Sequence, residues 1–349
     1  MSVAAVSLVV GLAGVGCASA PPEIELRERA ALCLHRGMRF PGNPAVRAQS
    51  MEAAAEVLDG DAAGLIAEGL RDEHAGVRFA ACMALGRIQD HGSTDAIRNL
   101  VGDPDASVRV AAFYALERLG EFSYRQAWAD ALQNAPDAGV RRNAAMTLGL
   151  LGNPKVAPLL KRSVAEDNDD GVRLQAVEAL ALLGDPDAQA RFVRDAFGGI
   201  GYRQPFALLA LGRVRDEESI SVLQTRMVNA PYLEAKLAAA RGLAMHGRLD
   251  GFDLAMQSLT WAAPDASLPD DPPENQIMRV RSMAAMTLGD MRDRRALPAL
   301  YRCMEMSDDP RIQVAAARSI LRLLGPAEPR APASAAPGST PHQSGAAPM

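Results

Sequence analysis

A pattern of apolar positions about twelve residues long recurs along the chain. With Val77 counted as position 1, apolar residues occupy positions 1, 5, 8, 9 and 12, which share one face of a helix with 3.6 residues per turn. Successive copies are 31 or 32 residues apart, except for one step of 45 residues between 235 and 280. This period predicts nine helices in register. Position 1 of the copies is Val46, Val77, Val108, Val140, Val172, Arg203, Ala235, Val280 and Ile312.

Residues that start and stop helices flank these copies. An Asp or Asn three residues before position 1 is a good N-cap, and a Gly at position 13 suits the left-handed residue that closes a helix. A second helix fits between successive copies, and Glu23–Met38 supplies the first. The sequence therefore predicts an all-α protein, an α/α superhelix of about nine helical hairpins that stack to complete a shared core. The predicted caps are Asn43, Asp105, Asp137, Asp169 and Asp309, and the predicted closing glycines are Gly120, Gly152, Gly184 and Gly247.

The motif Asp-x-x-Val-Arg-x-x-Ala-Ala-x-Ala-Leu-Gly resembles the short HEAT-like repeats of the phycobilin-lyase type. The resemblance covers residues 22–325, and it implies that Asp and Arg side chains pair along the stack. This ladder of Asp–Arg pairs should be interrupted in the sixth and seventh copies, where Ile200 and Tyr232 replace the Asp. The residues that match this ladder are Asp105, Arg109, Asp137, Arg141, Asp169 and Arg173.

Composition narrows the function classes. Of 349 residues, 48% are hydrophobic but only 4% aromatic, which suits closely packed helices, and the net charge of −5 gives no basic footprint for nucleic acid. The five histidines are scattered, and no His-Glu pair matches the metal site of the related deoxyhypusine hydroxylases. We therefore expect no metal, no cofactor and no catalytic residue.

The N-terminal segment is typical of an export signal. Val3 to Gly16 carry no charge and would span only about 21 Å as a helix, less than a bilayer core. The sequence predicts a lipoprotein-type signal over residues 1–16 with a lipid on Cys17, so that the exported protein contacts the membrane only through this anchor. Cleavage after Ala20 and an apolar N-terminus without a targeting role are the alternatives.

Three further segments stand out. Residues 326–349 are rich in Pro, Ala, Ser and Gly and are predicted to be disordered. The insertion at 263–276 is acidic and Pro-rich, and is either a binding loop or a solvated spacer. Cys33, Cys82 and Cys303 are expected to be free thiols, because an open array would keep Cys303 far from the other two.

Positions 3 and 7 point away from the predicted core, yet often carry apolar residues. They would form an exposed groove for a protein partner, unless neighbouring helices cover them. The sequence thus favours a non-enzymatic protein-binding scaffold or adaptor tethered to the bacterial cell envelope. The alternatives are a bilin-lyase-like chromophore-attachment protein, implied by the resemblance, and a purely structural envelope spacer. The predicted partner-binding residues are Phe79, Met83, Val110, Tyr114, Met146, Leu174 and Leu209.

Overall fold

The computed structural model describes residues 21–198, 203–214, 216–264 and 270–325, and these residues fold into helices joined by short turns, without a β-strand. Each of the nine predicted copies lies in an even-numbered helix, so the predicted α-solenoid is confirmed. The helices are α1 (Glu23–Met38), α2 (Pro44–Val57), α3 (Ala63–Glu68), α4 (Ala75–Ile88), α5 (Thr94–Asn99), α6 (Ala106–Arg118), α7 (Arg125–Asn134), α8 (Ala138–Leu150), α9 (Ala157–Glu166), α10 (Asp170–Leu182), α11 (Pro186–Ala196), α12 (Arg203–Leu211), α13 (Glu217–Asn229), α14 (Leu233–Met245), α15 (Phe252–Ser258), α16 (Pro273–Met291), α17 (Leu297–Met306) and α18 (Pro310–Leu324).

The helix ends form as the flanking residues predict. All five predicted N-caps accept hydrogen bonds from backbone N–H groups in the first turn of the helix that follows; Asp105, for example, accepts from Ser107 and Val108. The predicted closing glycines all have positive φ, with 69° at Gly152 and 91° at Gly120. Capping satisfies N–H groups that the helix itself leaves unpaired.

Within the described part of the chain, consecutive helices form nine hairpins, and the even-numbered helices make up an inner layer. Each hairpin packs on the next through small residues, since alanine dominates the buried core. The closest approach is at position 10: a Cβ added to Gly149 would lie 2.7 Å from Cα of Ala179 on α10. Glycine is therefore needed where inner helices touch backbone to backbone. Leu148, the neighbouring core residue, is 5% exposed, as the predicted register requires.

The array closes on itself, which the repeat pattern did not predict. The last helix, α18, packs against α1 and α2 at the start of the chain. Arg27 of α1 donates hydrogen bonds of 2.7 and 3.0 Å to the carbonyl oxygens of Gly325 and Leu324, and Arg294 pairs with Glu23 at 2.6 Å. One continuous buried cluster joins the first three and the last three hairpins. The solenoid is a closed ring.

Closure corrects the argument about cysteine separation. Cys33, Cys82 and Cys303 are free thiols, as expected. However, Arg29, one turn before Cys33, lies over the ring of Tyr301 on α17 and 3.8 Å from Glu305. The first and last hairpins are therefore neighbours, and distance along an open array cannot be the reason that these thiols are free. Burial raises the pKa of both Cys33 and Cys303 to about 11, so both are protonated at neutral pH.

Part of the predicted acidic insertion is helical. Helix α16 begins at Pro273, inside the 263–276 segment, and Asp271 just before it accepts two hydrogen bonds of 2.6 and 2.7 Å from Arg279. Residues 265–269, the predicted signal at 1–16, Cys17, Ala20, Ile200 and the tail at 326–349 lie outside the described residues. Among the described helices, none is both long enough and apolar enough to cross a bilayer.

Candidate binding cavity

The ring surrounds a central cavity of about 1660 Å³ that is partly open to solvent. Its wall comes from the inner helices α2, α4, α6, α8, α12, α14, α16 and α18, together with residues 231–234 and with Trp261, Ala263, Asp270 and Asp271. Most of the wall residues on these helices occupy positions 3, 7 and 11 of the repeat, so these positions of different repeats face the same space. Residues from both halves of the chain therefore meet in one site.

Apolar and sulfur-containing side chains form much of the cavity wall. Methionine has an unbranched, polarizable side chain that adapts to differently shaped apolar partners. The aromatic rings of Phe79, Tyr114 and Trp261 add rigid contact area. Such a wall can hold an apolar group without being shaped for a single small molecule. The five methionines that line it are Met83, Met146, Met278, Met283 and Met286.

A network of charged side chains lies where the ring closes, and Glu56, Arg241 and Arg318 of this network line the cavity. The Nε and Nη2 of Arg318 donate hydrogen bonds of 2.7 and 2.6 Å to the carboxylate of Glu56, and Arg322 also donates to Glu56. Asp290 lies 2.8 Å from Nε of Arg241, 3.4 Å from Nη2 of Arg318 and 3.0 Å from Nε of Arg322. We call these five residues the closure network. It contains three cations and two carboxylates.

Burial and neighbouring arginines shift the pKa values of three carboxyl groups near the point where the ring closes. Glu52 faces the cavity, but burial raises the pKa of its carboxyl, and Arg87 opposes this only in part. In Glu56 burial also raises the pKa, yet hydrogen bonding and charge from Arg318, with the charge of Arg322, bring the net shift below the ordinary value. The pKa of Asp290 is lowered in the same way, with Arg241 giving the largest opposing effect. The two network carboxylates are therefore ionised at neutral pH.

A second charged group lies toward the other end of α16, about three turns before Asp290 on the same face of the helix. Arg279 pairs with Glu234 at 2.6 Å and with Asp271 at 2.6 Å, so two carboxylates surround one cation. All three residues line the cavity. The sign of the charge thus differs between this group, which is net acidic, and the closure network, which is net basic.

The structure brings four of the seven predicted partner-binding residues together. Phe79, Met83, Tyr114 and Met146 line the central cavity, although Tyr114 is only 6% exposed. Leu209 is half-buried and packs against the core beside the cavity wall.

Val110 and Leu174 need correction, because they are 0% and 4% exposed and belong to the core. The inner helices curve tightly enough for neighbours to cover position 3 there. Some of the apolar residues at positions 3 and 7 are therefore covered by neighbouring helices, and others line the open cavity.

The predicted Asp–Arg ladder forms with different acidic partners. The side chains of Asp105, Asp137 and Asp169 cap their helices. Arg141 instead donates two hydrogen bonds of 2.8 and 2.9 Å to Asp167, two residues before the next cap. The predicted partner was wrong by two residues because an acid at the cap already accepts from the helix backbone.

Other repeats form the same pair between an Arg and an Asp two residues before the next cap. The pair does not form where that position is not acidic. Arg47 pairs with Asp72, and Arg78 with Asp103, each at 2.8 Å. Arg109 has Ala135 at the corresponding position and donates to the carbonyl oxygen of Asp103 at 2.7 Å. Arg173 likewise donates to the carbonyl oxygen of Asp167 at 2.5 Å.

Sequence reasoning overlooked the closure network. A signal was present: Glu52, Arg241 and Arg318 occupy position 7, and Glu56, Asp290 and Arg322 occupy position 11. Opposite charges on inward positions of the first repeat and the last three repeats would have suggested that these repeats meet.

Comparison with known proteins agrees with the repeat assignment. A family model of HEAT repeats matches residues 34–117 and 125–195, and the model of the PBS lyase HEAT-like repeat matches residues 280–305. The chain therefore contains HEAT repeats, and these build a helical scaffold. No curated protein matches it.

Solved structures show similarity in fold alone. Human deoxyhypusine hydroxylase in complex with glycerol is 16% identical, with a TM-score of 0.39 over 78% of this chain and 99% of that chain. The complex of CpcE and CpcF of phycocyanin lyase from Nostoc sp. PCC7120 is 19% identical, with a TM-score of 0.42 over 74% of this chain and 93% of the matched chain.

Proposed function

We propose that this protein is a non-catalytic adaptor that encloses an apolar helical segment of a partner protein in its central cavity. The observation that carries the proposal is the methionine-rich and aromatic wall, built from repeats that lie far apart in sequence. Apolar surface that a folded chain leaves open usually marks a binding site. Amphipathic helices commonly bind by placing their apolar face in such a groove.

The size of the cavity favours a helix over a small ligand. Its 1660 Å³ exceeds the roughly 300–1000 Å³ of ordinary small-molecule pockets. A helix with side chains is about 11 Å across and rises about 1.5 Å per residue, so roughly eleven residues, or three turns, would fill this volume. Adaptable methionines suit side chains that differ from turn to turn.

The envelope tether belongs to the same proposal but rests on the sequence of residues 1–20. A lipidated Cys17 would hold the ring at a membrane surface and leave the cavity free for a partner. The structural-spacer alternative is less well supported, since a spacer needs neither an enclosed cavity nor methionines facing it.

Site-specific photo-crosslinking tests the proposal in cells that make the protein. Leu150 lies in the cavity wall and Leu249 lies outside it, and the two are similarly exposed, at 44% and 45%. A photoreactive phenylalanine replaces each in turn. We expect adducts only at position 150, and mass spectrometry of the adduct should identify an apolar segment with helical periodicity.

A synthetic peptide of that segment should then bind the purified ring, and Leu150→Ser should weaken binding while Leu249→Ser should not. The absence of an adduct at position 150, or equal labelling at both positions, would contradict the proposal and leave the spacer alternative standing.

A further inference from the structure

The closure network has one more positive charge than its own carboxylates neutralise. Arg241, Arg318 and Arg322 share Glu56 and Asp290. A buried charge without full compensation is costly, because desolvation is repaid only by pairing and hydrogen bonding. A further anion at this part of the wall would complete the network.

Two guanidinium groups of the network have N–H groups without a hydrogen-bond partner among the described residues. The side chain of Arg318 is 9% exposed, and its Nη1 is buried without a hydrogen-bond partner among the described residues. Arg241 donates through Nε to Asp290 at 2.8 Å, and within the described part of the chain neither of its Nη atoms makes a hydrogen bond. Both arginines line the central cavity.

The electrostatic surroundings point the same way. Burial lowers the pKa of Arg241, and the negative charge of Asp290 opposes this shift. The positive charge of Arg318 lowers the pKa of Arg241 further. Arg87, on α4 beside the network, also lines the cavity and is exposed, and it forms no ion pair among the described residues. The site therefore favours a ligand that brings negative charge.

We propose that the closure network binds a carboxylate on the enclosed segment, so that the partner is an acidic amphipathic helix. This inference rests on the proposed function. A Glu or Asp on the helix would accept hydrogen bonds from Arg241, with Arg318 and Arg87 contributing charge, while its apolar face meets Met146 and Tyr114. Hydrogen bonds between guanidinium and carboxylate are strong and directional.

The net acidic group at Arg279 adds an orientation to this proposal. Glu234 and Asp271 surround that cation toward the other end of α16, so that end of the cavity repels the same carboxylate. The helix should therefore enter with its acidic position toward the closure network, which gives the ring a preference for one register of the segment.

Two fluorescein-labelled model peptides test the proposal on the full chain. Both are sixteen-residue Leu/Ala-based amphipathic helices, acetylated and amidated to remove terminal charges, with a central Glu in one and Gln in the other. Anisotropy titration should show about ten-fold tighter binding of the Glu peptide, the usual size of one charge-assisted hydrogen bond. Arg241→Gln should remove this preference, so that the Glu and Gln peptides bind with similar affinity.

Arg162→Gln is the matched control, because Arg162 is an exposed arginine on the outer helix α9 and pairs with Glu166 there. It should change neither affinity. If Arg241→Gln does not fold, Arg87→Gln replaces it and should reduce the preference, since Arg87 has no ion pair among the described residues to lose.

The outcomes separate the two proposals. If both peptides bind equally and Leu150→Ser weakens both, the cavity binds helices but does not recognise a carboxylate, and only this inference fails. A Glu preference that survives in Arg241→Gln also overturns it. If neither peptide binds, or Leu150→Ser has no effect, the proposed function fails. If dodecanoate displaces both peptides and binds alone in an Arg241-dependent way, the occupant is a small amphiphile and the choice of a helix is overturned.

Discussion

Single polar residues stabilise this protein mainly by forming hydrogen bonds with groups that the helices and their stacking leave unpaired. The side chain of Asp167 accepts two hydrogen bonds from Arg141. It accepts a third, of 2.9 Å, from the backbone N–H of Asp169. The hydrogen bonds from Arg141 are the largest cause that lowers the pKa of Asp167. One carboxylate therefore links two hairpins through groups that would otherwise be buried unpaired.

The Arg141–Asp167 pair should make stability depend on pH in one direction. Because the folded pKa of Asp167 is lowered, its stabilising contribution is complete above the unfolded pKa of about 3.9 and is lost as the pH falls through the folded pKa. Asp167→Asn should lower the free energy of unfolding by about 1–3 kcal/mol at pH 7. The difference from wild type should shrink toward pH 3, as measured by urea unfolding.

Glu166→Gln is the control for this prediction, because Glu166 is the exposed neighbour and pairs with Arg162 on the surface. It should change stability little at either pH. An Asp167→Asn effect that is the same at pH 7 and pH 3 would mean that the pair with Arg141 does not act through its charge.

At the scale of helices, contacts between the inner helices depend on small residues at fixed positions. Glycine at position 10 faces a small residue of the next inner helix at Gly86, Gly149, Gly212 and Gly289. The interhelical distance is set by this contact rather than by the larger core residues. The Leu-Gly pair of the repeat motif therefore has two separate roles, one in the core and one at the helix crossing.

Gly149→Ala should test the crossing. Its Cβ would lie 2.7 Å from Cα of Ala179, which is backbone and cannot rotate away, so the helices must separate at a cost of about 1–3 kcal/mol. Gly64→Ala in α3 is the control, because nothing lies within 4 Å of its added Cβ. That change should be neutral or raise stability by up to about 1 kcal/mol through helix propensity. Thermal and urea unfolding measure both, and equal effects would contradict the close crossing.

At the scale of the whole molecule, closure makes the first and last hairpins neighbours. An open repeat array transmits a local change only to adjacent repeats. In the ring, Glu56 of α2 and Arg318 of α18 are 262 residues apart in sequence but joined by two hydrogen bonds. A perturbation in the last hairpin should thus reach the first.

Hydrogen exchange can detect this coupling. Arg318→Met should cost about 1–3 kcal/mol through the lost charged hydrogen bonds and should speed amide exchange in both α16 and α2. Arg213→Met is the control, since Arg213 pairs with Glu178 of α10 at 2.6 Å, and it should affect only α10 and α12. If Arg318→Met leaves exchange in α2 unchanged, the ends of the array do not meet in solution.

The sequence by itself determined the helices, their caps and the repeat, because these depend on interactions within a few residues: a 3.6-residue apolar period, an Asp three residues before position 1, a glycine in the left-handed region. It also located part of the site, since Phe79, Met83, Tyr114 and Met146 follow from that period.

Only the tertiary structure decided that the array closes, that Val110 and Leu174 are covered, and that Arg141 pairs with Asp167. These features depend on the small rotation between successive hairpins, which accumulates over nine repeats and is not encoded in any one of them. The closure network brings together residues from the first repeat and the last three repeats, and a local pattern contains no information about which distant repeats will meet.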